Sequence, residues 1–183
     1  MSDVTSSKLK QIRRKLKLVL GYEPYISVEK LELTFEIPPN HAEHQPIQAK
    51  MSLHIGQISI NDATTITVLK DQIWVLADIY VTQPLDIDGT LQISQNTRMP
   101  SDVEFQPLNV LSKSNQARNT LLLPLIFKPG ELLSIKFKPL KANNGTSTVK
   151  ESATIEVIVI DFTDKNLPAE KLEEIAKMLQ NFL

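Results

Sequence analysis

Residues 25–162 form a long stretch in which apolar residues alternate with polar ones or are β-branched, and no other feature constrains the fold as much. Alternation with a period of two is typical of a strand with one buried and one solvated face. We predict about eight strands, at residues 25–37, 47–60 with a break at Gly56, 64–69, 73–81, 85–94, 120–127, 132–139 and 153–162. Because no predicted helix interrupts these strands, we predict an antiparallel β-sandwich of jelly-roll or Greek-key type.

The most apolar segment, residues 121–140, has the sequence LLLPLIFKPGELLSIKFKPL. A membrane-spanning helix needs about 20 predominantly apolar residues with few charges, whereas this segment contains three prolines and three lysines. Its second half alternates, and Lys128-Pro129-Gly130-Glu131 has the proline and glycine that a type II turn favours. We therefore predict two strands joined by a turn, and no transmembrane segment.

Two dipeptides in the strand region, Asp88-Gly89 and Asn144-Gly145, are typical of hairpin turns. Asn144-Gly145-Thr146 also has the form of a glycosylation acceptor. We adopt the turn because the N-terminus lacks the apolar region of a secretory signal, which also predicts synthesis in the cytoplasm. Residues 94–119 are predicted to be a long connection with room for one short strand.

Each end of the chain is predicted to form an amphipathic helix. Ser6 or Ser7 is a candidate N-cap of the first helix, Gly21 stands where that helix would stop, and Pro168 suits the start of the second. The apolar stripes are Leu9, Ile12, Leu16, Val19 and Leu20, then Leu172, Ile175, Ala176, Leu179, Phe182 and Leu183. The predicted division is a basic N-terminal helix or arm at 1–21, a β-sandwich domain at 22–163 and a C-terminal helix at 164–183.

Charge is distributed unevenly along the chain. The net charge is −1 over 183 residues, but residues 1–20 contain six basic side chains against Asp3 alone. The six are Lys8, Lys10, Arg13, Arg14, Lys15 and Lys17. Such a helix can neutralise nucleic-acid phosphates, lie on an anionic membrane, contact an acidic partner, or present a solvated face while it docks on its own domain. No aromatic residue interleaves the basic ones, so the arm offers no platform for base stacking.

The C-terminal stripe has two interpretations. Four of its residues approximate the a/d spacing of a coiled coil over two heptads, namely Leu172, Ile175, Leu179 and Phe182. The helix can therefore pack on its own sheet or pair with another copy, and we predict that these four residues form an oligomer interface. Two heptads are marginal alone, so the sandwich must contribute to any such interface.

Residue types that often carry catalysis or bind metals are sparse. The chain has no cysteine, which excludes cysteine nucleophiles, zinc–thiolate sites and iron–sulfur clusters. His41 and His44 lie three residues apart in a proline-bracketed loop, not at the helical spacing of a zinc protease, and His54 could join them only if the loop folds back. We predict a solvated loop there, with no metal and no cofactor.

Acidic motifs are also interpreted structurally. Asp86-Ile87-Asp88-Gly89 lacks the third oxygen ligand and the distal glutamate of a calcium loop. Asp78 lies in an apolar strand, where alternation places it on the same face as Trp74, Leu76 and Tyr80. The sequence also lacks a Gly-x-Ser-x-Gly nucleophile elbow and a phosphate-binding glycine cluster. We therefore predict that the protein is not an enzyme.

These observations predict a non-catalytic structural protein that self-associates through its β-sandwich and terminal helices. A β-sandwich without catalytic motifs and with apolar helical extensions is the arrangement expected of an assembly subunit. We predict a phage or virus virion component such as a capsid, cement or connector subunit. It would form a homo-oligomer and contact other structural proteins of the same particle, with its basic arm facing nucleic acid or an acidic neighbour.

The alternative is a ligand-binding β-sandwich module that recognises carbohydrate or peptide. Such a module needs exposed aromatic residues, and aromatic residues are 5% of this chain. Trp74, the one tryptophan, lies among apolar residues of a predicted strand, which favours a place in the core.

Overall fold

A computed structural model of the chain describes residues 1–95, 103–104, 107–113 and 124–183. The helices in these ranges are α1 Asp3–Leu20, α2 Leu108–Lys113 and α3 Ala169–Phe182, with a short 3-10 turn at Thr163–Lys165. The strands are β1 Tyr25–Ile37, β2 Ile47–Gln48, β3 Lys50–Ile55, β4 Ile58–Ala63, β5 Thr65–Thr67, β6 Gln72–Tyr80, β7 Gly89–Gln95, β8 Val103–Glu104, β9 Leu125–Phe127, β10 Leu132–Pro139 and β11 Val149–Asp161. The protein is therefore mainly β with a helix near each end, as the sequence predicts.

The described strands form two antiparallel sheets that pack face to face. Sheet A has the order β4-β3-β1-β11-β6-β9, and sheet B has the order β2-β10-β7-β8 with β5 also paired to β10. Apolar side chains from both sheets fill the space between them. At its centre the Phe35 ring of sheet A stacks on the Phe137 ring of sheet B, with centroids 4.4 Å apart. The predicted β-sandwich is confirmed, and its assignment as a jelly roll stays a prediction.

β1 and β11 pair along their whole length at the centre of sheet A, from Tyr25 opposite Asp161 to Ile37 opposite Val149. On β1, Leu31 and Leu33 face the core while Glu32 faces solvent, which is the alternation expected of a strand with one wet face. β1 has the predicted bounds. β11 begins four residues before the predicted start at 153, because Glu151 is a charged residue in an inward-facing position and interrupts the apolar pattern.

The outer face of sheet A is covered by α1 and α3. This second core consists of Leu9, Ile12 and Leu16 of α1, the residues Ile73, Val75, Ala77, Ile158, Ile160 and Phe162 on or next to β6 and β11, and Leu172, Ile175, Ala176 and Leu179 of α3. β6 is therefore buried on both faces, which explains its almost continuous apolar sequence. The molecule has three layers: helices, sheet A and sheet B.

The ends of α1 follow helix-capping rules, with one correction. Gly21 ends the helix in a left-handed conformation, φ 78°, and its N–H donates to the Lys17 carbonyl, as predicted. The N-cap is Ser2 and not Ser6 or Ser7, because the Ser2 hydroxyl accepts a hydrogen bond from the Thr5 N–H at 3.1 Å. Ser6 and Ser7 lie inside the helix, so α1 begins earlier than the apolar stripe suggests.

The predicted type II turn is confirmed. The Glu131 N–H donates to the Lys128 carbonyl at 3.2 Å, and Gly130 has a φ of 80°. The turn joins β9 of sheet A to β10 of sheet B, so it carries the chain from one sheet to the other.

The predicted hairpin at Asp88-Gly89 is wrong. Gly89 opens β7 opposite Pro139, and the residues before it are not a strand. Glycine is needed there for space, since a Cβ on residue 89 would lie 2.4 Å from two carbon atoms of the Phe137 ring.

The predicted hairpin at Asn144-Gly145 is also wrong, because the loop joins β10 of sheet B to β11 of sheet A. Buried Asn143 holds the loop in place: its side-chain amide donates to the carbonyls of Ile37 and Ser147, both at 3.0 Å. A local turn motif does not reveal that its two flanking strands belong to different sheets.

Two predicted segments fall partly outside the described ranges. Of the strand predicted at 120–127, residues 120–123 lie outside and Leu125–Phe127 form β9. In the predicted connection at 94–119, β8 confirms the short strand, and α2 is a helix that the sequence did not predict. Among the helices that the structure describes, none is long and apolar enough to cross a membrane.

Candidate functional site

The histidines do not converge on a common site. The His41 ring nitrogen Nε2 lies 2.7 Å from the Gln45 carbonyl within its own loop. The His54 ring lies on β3, 2.7 Å from the Ser59 hydroxyl. Across the described ranges, no group of three or more histidine, aspartate and glutamate side chains is arranged to hold a metal ion.

Asp86, Asp88 and Glu151 lie near one end of the sandwich. Asp88 accepts hydrogen bonds from the N–H groups of Gly89 and Asn109, so it organises the loop that leads into β7. Glu151 is buried, and one of its oxygens accepts from the Asp86 N–H at 3.3 Å. Its other oxygen has no hydrogen-bond partner among the described residues. Burial raises the pKa of Glu151, and the negative charges of Asp86 and Asp88 raise it further.

Glu151→Gln is expected to stabilise the protein at pH 7. A carboxyl whose pKa is raised by folding contributes stability at low pH, and this contribution is lost as the pH rises through the folded-state pKa. The difference in the free energy of unfolding between Glu151→Gln and wild type should therefore be smaller at pH 4 than at pH 7. Urea unfolding at the two pH values measures it. Glu43→Gln, at an exposed position, is the control. If Glu151→Gln were destabilised equally at pH 7 and pH 4, the raised pKa of Glu151 would not be the source of the effect.

Asp78 does not face the inter-sheet core as alternation suggests. A β-bulge lies in the β6–β11 pairing: Leu76 is opposite Val157 and Asp78 is opposite Glu156, which leaves Ala77 as the extra residue. Leu76 therefore points into the core while Asp78 shares the outer face with Glu156, because directly opposed residues point to the same side. The prediction that Asp78 lies on one face with Trp74, Leu76 and Tyr80 is therefore wrong for Trp74 and Leu76. It holds for Tyr80, which follows the bulge and lies two residues after Asp78.

The first turn of α1 lies over Asp78 and Glu156, two buried carboxylates. A Glu156 oxygen accepts hydrogen bonds from the Ser2 N–H at 2.8 Å and the Thr5 hydroxyl at 3.3 Å. One Asp78 oxygen accepts from the Ile79 N–H at 2.9 Å. Like charges placed opposite each other on a sheet repel, and the positive end of a helix dipole offsets part of that repulsion. We name Asp78 and Glu156 the acid pair.

Lys8 also belongs to this buried region. Its Nζ donates to the Ala77 carbonyl at 3.3 Å, at the bulge. Burial lowers the pKa of Lys8, while the nearby charge of Asp78 acts in the opposite direction and raises it. Lys8 therefore helps hold α1 on sheet A, with its side chain half-buried at the bulge.

The other five basic residues of α1 differ in their surroundings. The Arg13 Nε lies 3.2 Å from a Glu23 oxygen, so part of its charge is compensated. The Lys15 ammonium lies over the Phe182 ring of α3, 4.9 Å from its centroid. The remaining three, Lys10, Arg14 and Lys17, are exposed on the face of α1 that points away from sheet A. We name these three residues the basic stripe.

Exposed apolar side chains lie beside the basic stripe. Leu18 is 79% exposed and Val19 is 52% exposed at the last turn of α1, and Phe182 is 44% exposed at the end of α3. Lys15, Met178 and Phe182 line a shallow groove between the two helices. Single exposed apolar residues are common, but here they flank a concentrated charge, so the outer surface of the helical layer is both basic and apolar.

The four residues of the predicted oligomer interface have two different environments. Leu172, Ile175 and Leu179 are buried against sheet A and α1 within the same chain. Phe182 is partly exposed. In this structure the first three contribute to the fold of the single chain, and their participation in an interface stays a prediction.

Trp74 is completely buried in the inter-sheet core, and its indole N–H donates to the Gln72 side chain at 2.9 Å. It is therefore a core residue, as its apolar neighbours indicate, and its ring is not exposed for stacking on a sugar.

The residues that position α1 include three that the sequence did not single out: Ser2, Thr5 and Glu156. Glu156 had one sequence signal, since it is an acid in the β-branched and apolar segment Ala153–Phe162. That signal could not identify its partners, which lie more than 150 residues earlier in the chain.

Comparison with known proteins shows a distant similarity to a viral protein. No protein-family model matches the chain. The chain is similar to "Capsid protein VP4" of Sulfolobus polyhedral virus 1, with 25% identity over 127 residues that cover 65% of this chain and 69% of the viral protein. The similar region thus makes up about two thirds of each protein.

Proposed function

We propose that this protein is a structural component of a virion and not an enzyme. The observation that carries the proposal is the similarity to a viral capsid protein over about two thirds of each chain. The β-sandwich architecture is compatible with this role, although fold alone does not specify function. Among the residues considered as candidates for chemistry, Asp88 organises the loop before β7 and Trp74 fills the core, so both have structural roles.

The proposed subunit self-associates and contacts other structural proteins of the same particle. The outer surface of the helical layer is the candidate contact region because it combines the basic stripe with exposed Leu18 and Phe182. The basic stripe would face nucleic acid or an acidic neighbouring protein, since both attract a concentration of positive charge. Within the particle, such a subunit would serve as a capsid, cement or connector protein.

The proposal predicts that the purified protein is larger than one chain in solution. Light scattering on a sizing column at low and at high salt should give a mass that is a multiple of 20.6 kDa in at least one condition. Loss of the larger species at high salt would assign the contact to exposed charges, and its persistence would assign it to apolar burial. A mass of 20.6 kDa in both conditions and at all concentrations would contradict self-association.

The competing module hypothesis is tested on the same sample. Binding to a panel of glycans and peptides, measured by calorimetry, would favour a ligand-binding sandwich over an assembly subunit. Trp74 cannot contribute to such binding, because its ring is buried in the core.

A further inference from the structure

The basic stripe has a regular geometry on the helix. Lys10, Arg14 and Lys17 follow each other at steps of four and three residues, so they lie along one face of α1. All three are exposed, and none makes an ion pair with another described residue. This face carries three positive charges that the chain's own fold leaves in solvent.

The start of α3 carries the opposite charge. Glu170, Glu173 and Glu174 are all exposed in its first two turns. Glu170 lies in the first turn, where it complements the positive end of the helix dipole. Glu174 lies 3.6 Å from Lys171, and Glu173 lies 3.2 Å from Lys128. Glu170 and Glu174 are one helical turn apart, so they share a face, and we name these two the acidic start of α3.

Leu18 discriminates between the kinds of partner that a basic helix can bind. It follows Arg14 by four residues, so its exposed side chain adjoins the basic stripe. A phosphate backbone gains nothing from a desolvated leucine, whereas a protein surface can bury it at the centre of a contact. The combination of an exposed leucine and a row of cations therefore favours an acidic protein partner over a nucleic-acid backbone.

We propose that the basic stripe of one copy binds the acidic start of α3 on a second copy. The inference rests on the proposed self-association and specifies the surface that makes it. Both halves of the contact lie on the same chain, so a twofold arrangement can form the contact twice. Charge complementarity then steers the two copies together, and burial of Leu18 slows their separation.

Charge reversal of each half tests this contact. The triple variant K10E/R14E/K17E and the double variant E170K/E174K each place like charges on the two facing helices. Each alone should weaken the association at least tenfold, measured as the dissociation constant by sedimentation. An equimolar mixture of the two should associate again, because the reversed α1 of one variant meets the reversed α3 of the other.

Two further variants separate this specific contact from general charge effects. K50E/K70E/K141E changes the net charge by the same amount as the α1 variant, at three exposed positions outside the helices, and should associate like wild type. Leu18→Ser leaves all charges in place and should weaken the association. All these positions are exposed, and circular dichroism and thermal midpoints will show whether each variant folds.

The outcomes distinguish this contact from the broader proposal. If wild type associates but the two reversed variants also associate normally, or if their mixture shows no recovery, the contact is elsewhere and only this inference fails. If wild type is monomeric in every condition, the self-association proposed above fails first. If K10E/R14E/K17E keeps the wild-type mass but loses binding to a generic duplex DNA, the stripe is a nucleic-acid surface and the inference is overturned.

Discussion

Replacing Ile12 with aspartate is expected to release α1 from sheet A. Ile12 is fully buried between α1 and sheet A, and a carboxylate there would have neither water nor a charged partner. The helix can avoid this cost by leaving the sheet, which exposes Leu9 and Leu16 as well. Burial of each of these side chains stabilises the fold by about 1.5–3 kcal/mol, so the free energy of unfolding should fall by more than about 4 kcal/mol.

Limited trypsin digestion gives a direct measure of that release. The helix contains six potential cleavage sites, which a docked helix protects and an undocked helix exposes. Ile12→Asp should therefore be cut within α1 much faster than wild type. Gln11→Asp introduces the same residue at the neighbouring, exposed position and is the matched control. Equal cleavage rates and equal thermal midpoints in the two variants would show that α1 does not depend on this contact.

Replacing Phe137 with alanine is expected to destabilise the contact between the two sheets by about 3–5 kcal/mol. Phe137 is fully buried on β10, its ring stacks on Phe35 of sheet A, and Gly89 leaves the space that the ring occupies. Removal of the ring leaves a cavity that the surrounding strands can fill only partly. Urea unfolding measures the loss, and the thermal midpoint should fall by roughly 10 °C.

Phe182→Ala is the matched control, because it removes the same side chain from a partly exposed position at the end of α3. Its contact with Lys15 contributes about 0.5–1 kcal/mol at an exposed site. The loss in this variant should therefore stay near or below 1 kcal/mol. Similar losses in Phe137→Ala and Phe182→Ala would contradict the placement of Phe137 at the centre of the sandwich.

The docking of α1 changes the interpretation of its charge. A free basic arm would present six cations to a partner, whereas the docked helix uses Lys8 at the bulge, partly compensates Arg13 with Glu23 and places Lys15 over an aromatic ring. The charge that remains for recognition is concentrated in the basic stripe. For this reason we propose a contact with one defined surface, the acidic start of α3.

The strands were the most predictable part of the fold. β1 and β10 occur at the predicted positions because their alternation is a local property: each inward residue is apolar and each outward residue is polar. The type II turn at Lys128–Glu131 was predictable for a similar reason, since proline and glycine set the backbone of a turn directly. The hairpins at Asp88-Gly89 and Asn144-Gly145 failed because a turn motif does not specify which sheet the chain enters next.

The site was less predictable than the fold. The basic residues of α1 were identified from the sequence, but their separation into buried, paired and exposed groups depends on which side of the helix faces sheet A. Asp78 was placed on the wrong face because a single bulged residue, Ala77, reverses the alternation of everything after it. No local sequence pattern predicts this bulge, because it arises from the pairing of β6 with β11.

Local sequence patterns were enough to predict most of the strands, the two terminal amphipathic helices and the concentration of positive charge in one of them. These features depend on neighbouring residues and on periodicity, both of which are present in the linear order. Tertiary packing places Asp78 and Glu156 together as the acid pair beneath α1, turns Leu172 and Leu179 towards their own sheet, and leaves Lys10, Arg14 and Lys17 in solvent. These outcomes depend on contacts between residues far apart in the chain, and the free energy of such contacts comes from burial and charge that exist only once the layers have packed together.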